Sequence, residues 1–93
     1  MKKEESKKLN FGDAIKALKS GSKVIREGWN GKCMWLKLVE SENYAVTLLL
    51  DDLSKSGIDK SPWIGMKTAD NKFVPWLASQ TDVLAEDWMV IIE

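Results

Sequence analysis

The sequence predicts an α+β domain, a short N-terminal amphipathic helix followed by a small antiparallel β-sheet built of hairpins. Three observations predict it. Phe11, Ala14, Ile15 and Leu18 recur at helical spacing behind Asn10. Two turn-forming clusters, Gly28-Trp29-Asn30-Gly31 and Ala69-Asp70-Asn71, each interrupt runs of strand-forming residues. The chain then closes on Trp88–Ile92, rich in β-formers.

Met1–Lys8 is charged and lacks an apolar face, so residues 1–8 read as a flexible tail before a single ligand-binding domain over 9–93. Asn10 is a good N-cap, because its side-chain oxygen can accept from a free N–H of the first turn, and it opens a helix over Phe11–Lys19. Ser20 and Gly21 end that helix, since glycine accepts the left-handed backbone of a C-terminal flank. Ser22–Glu27 reads as a strand around Val24 and Ile25, leading through the first turn cluster into Cys33–Val39. Tyr44–Leu50 fits strand or helix, and the polar stretch Asp51–Ser61 reads as a loop. Trp63–Lys67 and Lys72–Val74 form a second hairpin that Pro75 ends. Leu77–Ala85 is a loop with one helical turn before the last strand.

At 93 residues the chain is one domain that buries about 60–65% of its unfolded surface, so self-association would add burial that a thin core lacks. Fourteen basic residues balance fourteen acidic ones, which removes the long-range pull toward a DNA or RNA polymer or an anionic membrane. No apolar run spans a bilayer and no signal peptide stands at the start, so a cytoplasmic protein is expected. Histidine is absent, there is no GxxxxGK phosphate loop and no metal-ligand cluster, so we expect no catalytic residues, no metal and no cofactor. Cys33, the single cysteine, excludes an internal disulfide and is expected to be a small, buried strand residue. The class that remains is a protein that binds without catalysing.

Binding chemistry concentrates in five tryptophans, three of them between Pro62 and Trp88. An indole offers a large flat face and one N–H that needs a partner, and a base stacked on an aromatic ring is worth about 1–3 kcal/mol. Trp63, Trp76 and Trp88 stand at strand edges, where a ring either packs in the core or faces a cleft. Ser79, Gln80, Thr81 and Asp82 are four successive hydrogen-bonding side chains that suit ribose hydroxyls or base edges, or else cap their own backbone. Trp29 and Asn30 lie between two glycines on the first turn, flanked by Arg26 and Lys32, with a ligand, a second subunit or their own sheet as partner. Lys67 and Thr68 reach a phosphate from the second hairpin or form a solvated face.

The segments Asn10–Ala14, Arg26–Lys32, Pro62–Thr68 and Trp76–Asp82 together resemble the Thoeris anti-defence two family of small phage and prophage-borne proteins, over nearly the whole chain after Leu9. The resemblance departs in the charged tail and in residues 40–61. It implies a sponge that binds a cyclic ADP-ribose signal, glycocyclic ADP-ribose, without cleaving it. It also implies a homotetramer with pockets between subunits and, in some members, a separate site for cyclic dinucleotides. On that reading Trp29, Trp63 or Trp76 sandwiches the adenine, and Ser79, Thr81, Asp82 and Asn30 hold ribose hydroxyls. Arg26 or Lys67, with Thr68 beside it, holds the pyrophosphate. The alternative is a structural or assembly protein whose tryptophans form a subunit interface.

Overall fold

The computed structural model describes residues 2–3, 7–29, 33–40 and 61–92. Asn10 caps the helix as its chemistry demands, its Oδ1 accepting from the Asp13 N–H at 2.8 Å, and α1 runs Phe11–Lys19. The helix stops where Gly21 takes a φ of 97°. Strands β1 (Lys2–Lys3), β2 (Lys23–Arg26), β3 (Trp35–Val39), β4 (Trp63–Lys67), β5 (Phe73–Pro75) and β6 (Trp88–Ile92) form one antiparallel sheet in the order β1-β6-β2-β3-β4-β5. A second short helix, α2 (Gln80–Leu84), lies between β5 and β6. This is the expected α+β architecture, one helix and then hairpins, with the C-terminal strand inserted beside β2.

Lys2–Lys3 pairs with Ile92 and Ile91 through main-chain groups, an interaction that needs no apolar side chain and leaves no trace in residue pattern. The strand expected from Cys33 begins instead at Trp35, because Cys33 takes a left-handed φ of 59° and cannot extend the ladder. Cys33 is accordingly exposed rather than buried. Pro75 does not end the second hairpin as expected. It lies opposite Gly65 on an edge strand, where proline's missing N–H is tolerated, and Trp76 N–H still donates to the Ile64 carbonyl at 2.9 Å. The proposed loop over 51–61 and the ambiguous segment 44–50 lie outside the described residues, save Ser61.

Strand alternation divides the sheet into two faces. On the helix side, Val24, Leu36 and Trp88 close on Ala14 and Leu18, all at most 1% exposed, with Leu38, Ile64, Met66 and Val90 packed around them. The register places Lys23, Ile25, Trp35, Lys37, Val39, Trp63, Gly65, Lys67, Phe73, Pro75, Met89 and Ile91 on the far side. Among the described residues, no helix is long and apolar enough to cross a membrane.

The Asn10 cap yields a direct expectation. Asn10→Ala leaves one first-turn donor without its acceptor and lowers stability by about 1 kcal/mol, read from urea denaturation, while Asn10→Asp keeps it.

Candidate functional site

Aromatic side chains gather in two places, one on each side of the sheet. On the helix side, Trp88 is fully buried and three rings pack against it. Trp29 and Trp76 meet it edge-on at 5.5 and 6.0 Å between centroids, and Phe11 lies tilted at 5.6 Å. The edge-to-face arrangement is the favourable one, since the positive ring edge meets the negative π-face. Trp88 Nε1 donates to the Asp82 carbonyl at 3.0 Å, which satisfies the one polar atom the indole buries. Trp29 therefore folds back on its own sheet, carried there by the short 3₁₀ turn Glu27–Trp29.

Beside this cluster Arg26 acts as a clasp. Its Nε donates to Asp87 Oδ1 at 2.9 Å, its Nη2 to Asp87 Oδ2 at 3.4 Å and its Nη1 to Asp82 Oδ1 at 2.9 Å. Asp87 Oδ2 also accepts from the Gly28 N–H at 2.9 Å, fixing the Trp29 turn to the start of β6. The Arg26 guanidinium holds the Asp87 carboxyl below the usual carboxylate range, and Asp87 in turn raises Arg26. Ser79 and Asp82 form a capping box on α2. Ser79 Oγ accepts from the Asp82 N–H at 3.1 Å, and Asp82 Oδ2 accepts from Ser79 Oγ at 2.9 Å. Gln80 and Thr81 are exposed on the same turn.

On the far side, Phe73 stands between Trp35 and Trp63, with centroids 6.1 and 5.9 Å away. Gly65 is buried because the Phe73 ring lies directly over it, in the space a Cβ would occupy. Trp63 and Phe73 nevertheless stay 36% and 48% exposed. Lys67 donates to the Cys33 carbonyl at 2.9 Å, and Lys23 sits 4.3 Å above the Trp35 ring. Thr68 is spent on its own turn, where it bonds Asp70 and the Lys72 main chain.

The residues singled out from sequence thus divide. Arg26, Trp29, Trp76, Ser79, Thr81 and Asp82 come together on the helix side, whereas Trp63, Lys67 and Thr68 lie at the other face. Asn30 lies outside the described residues. Arg26, Ser79 and Asp82 direct their polar atoms at one another, and Trp88 is core. Phe73, Trp35 and Asp87 were missed. Period-two alternation could have placed Trp35 and Trp63 on one face, but the β3–β4 register sets them opposite Lys67 and Val39, and Phe73 from β5 links them. Nothing in sequence links Asp87 to Arg26 across 61 residues.

The sequence that carries this geometry has relatives among known proteins. A family model for the Thoeris anti-defense 2-like domain matches residues 9–91. The chain belongs to this family. A curated relative, "Thoeris anti-defense 2" of Bacillus phage SP01, is 42% identical over 93 residues, covering 90% of this chain and 96% of the relative. The matched span includes both aromatic groups and the Arg26 clasp, and membership of the family supports an anti-defence role.

The clasp sets a pH expectation. Because the folded-state pKa of Asp87 is depressed, its contribution is present at neutral pH and is lost as pH falls below the ordinary carboxylate range. Asp87→Asn is expected to lower stability at pH 7 by about 1.5–3 kcal/mol, the range for hydrogen bonds to charged groups. It also flattens the acid limb of stability against pH, so wild type and variant converge at low pH in denaturant titrations.

Proposed function

We propose that this protein is an anti-defence sponge. It binds a cyclic ADP-ribose signal, glycocyclic ADP-ribose, whole and releases it slowly, so that the Thoeris effector is never triggered. The reading is carried by one observation. Of five tryptophans only Trp88 is wholly buried, and Trp29, Trp35, Trp63 and Trp76 each keep part of a ring surface open on a scaffold that fixes them. Rings held in advance lose little freedom on binding, which favours tight, stoichiometric capture.

The Lys67 ammonium suits the pyrophosphate from the far face, and exposed Thr81, on the helix side, suits a ribose where a second subunit closes the pocket, with Asn30 a further partner for ribose hydroxyls. Arg26, Ser79 and Asp82 hold the turns on the helix side, and Thr68 holds the turn that follows Lys67. The protein acts without catalysis or cofactor in the cytoplasm of the bacterial host, and cyclic dinucleotides are candidate ligands of a separate site. A homotetramer with pockets between subunits completes the proposal. Leu77 and Leu84, at 91% and 75% exposed, are the apolar side chains such an assembly would cover. The same two leucines favour the second reading, an assembly protein with no small ligand.

Calorimetry with glycocyclic ADP-ribose, followed by heat denaturation and recovery of the ligand, tests the proposal. We expect saturable binding and intact ligand. A hydrolysed product would exclude a sponge, and an oligomer that takes up no ligand would favour the assembly reading.

A further inference from the structure

The far face of the sheet has a charge pattern that the helix side lacks. At their far-facing positions, strands β2 to β6 carry Lys23, Lys37 and Lys67 and no carboxylate. The whole chain is neutral, so this row of lysines is a property of the strand positions and not of the composition. Three aromatic rings share the face, and two of them, Trp63 and Phe73, are more than a third exposed. On the helix side Trp29 and Trp76 instead pack at steep angles against buried Trp88 and stay less exposed than Trp63 and Phe73, and the nearest cation, Arg26, is bound to two carboxylates.

We propose that the strip Trp35–Phe73–Trp63 is the base-stacking surface of the protein, with Lys67 as its phosphate partner, and that its occupant is a small nucleotide. This rests on the proposed function and deepens it by assigning Phe73 and Trp35 to the site. Stacking needs exposed ring surface, and Trp63 and Phe73 supply it from neighbouring rings 5.9 Å apart, the second with its other side on Gly65. Phe73 is held by its seat on Gly65, so the ring is in place before a ligand arrives. Lys67 on β4 pairs in register with Trp35 on β3 and with Phe73 on β5. Its ammonium has three N–H donors, of which one reaches the Cys33 carbonyl. A base on the rings therefore puts its phosphate within reach of the Lys67 ammonium. The zero net charge and the shortness of the strip select a mononucleotide-sized anion over a polymer, whose binding draws on many phosphate contacts.

Tryptophan fluorescence titrations of the full chain with ADP, with glycocyclic ADP-ribose and with a single-stranded oligodeoxyadenylate test this. The strip predicts quenching by ADP and the cyclic ligand. It predicts binding about ten-fold weaker in Phe73→Leu, which still covers Gly65 but has no π-face, and near-wild-type binding in Phe73→Tyr. Lys67→Ala weakens ADP more than adenosine. If glycocyclic ADP-ribose binds wild type, Phe73→Leu and Trp63→Ala equally but fails with Trp76→Ala, the strip is excluded and the sponge stands. If ADP binds and Phe73→Leu weakens it while the cyclic ligand does not bind, the strip stands and the sponge falls. Tighter binding of the oligonucleotide than of ADP overturns the choice of a small ligand, and no binding of any probe overturns both.

Discussion

The packing of Trp88 is the constraint on which the rest of the structure depends. It is wholly buried, it is touched by Phe11 from α1, Trp29 from the 3₁₀ turn and Trp76 from beyond β5, and its indole N–H ends on the Asp82 carbonyl in α2. Its main chain pairs with Arg26 on β2 and exchanges hydrogen bonds with Leu9 at 2.8 and 3.1 Å. One residue thus joins the helix, the sheet, the 3₁₀ turn and the connection from β5 to β6. Truncation of a core tryptophan costs about 3–5 kcal/mol where a whole domain holds about 5–15, so a 93-residue fold has little to replace it with. The Arg26 clasp complements this packing. It fixes by charge and geometry the same turn and helix that Trp88 fixes by contact, and it satisfies two carboxylates that would otherwise repel each other beside the core.

That arrangement separates two uses of aromatic residues. Around Trp88 the rings meet at steep angles and consume one another's edges, which builds rigidity. Across the sheet Phe73 lies over Gly65 with Trp35 and Trp63 tilted against it, and Phe73 and Trp63 stay more than a third exposed, which builds a surface. The sheet links the two. Ile64 and Met66 face the core from the strand whose alternate residues, Trp63, Gly65 and Lys67, form the open face, so the core holds the surface in register.

Much of this was legible in the sequence wherever local chemistry decides the outcome. The N-cap at Asn10, the helix Phe11–Lys19, the strands Trp63–Lys67 and Trp88–Ile92 and one helical turn within Leu77–Ala85 all follow from capping at Asn10, spacing and β-propensity. The site was less legible, because its residues are assembled by non-local contacts. Arg26 reads as a phosphate ligand until the fold brings Asp82 and Asp87 to it, and Ser79 and Asp82 read as a polar loop until they cap one another. Phe73 reads as one more strand residue until the register places it over Gly65, between two indoles that are 28 residues apart in the chain. Lys2–Lys3 pairs through its backbone alone, which composition cannot reveal.

A crystal structure of the protein with glycocyclic ADP-ribose bound tests the central claim most directly. The account predicts intact ligand with its adenine against Trp63 and Phe73, its pyrophosphate near Lys67, and Trp29 and Trp76 still packed edge-on to Trp88. Adenine inserted between Trp29 and Trp76, with the Arg26 clasp opened to take the phosphates, would contradict it.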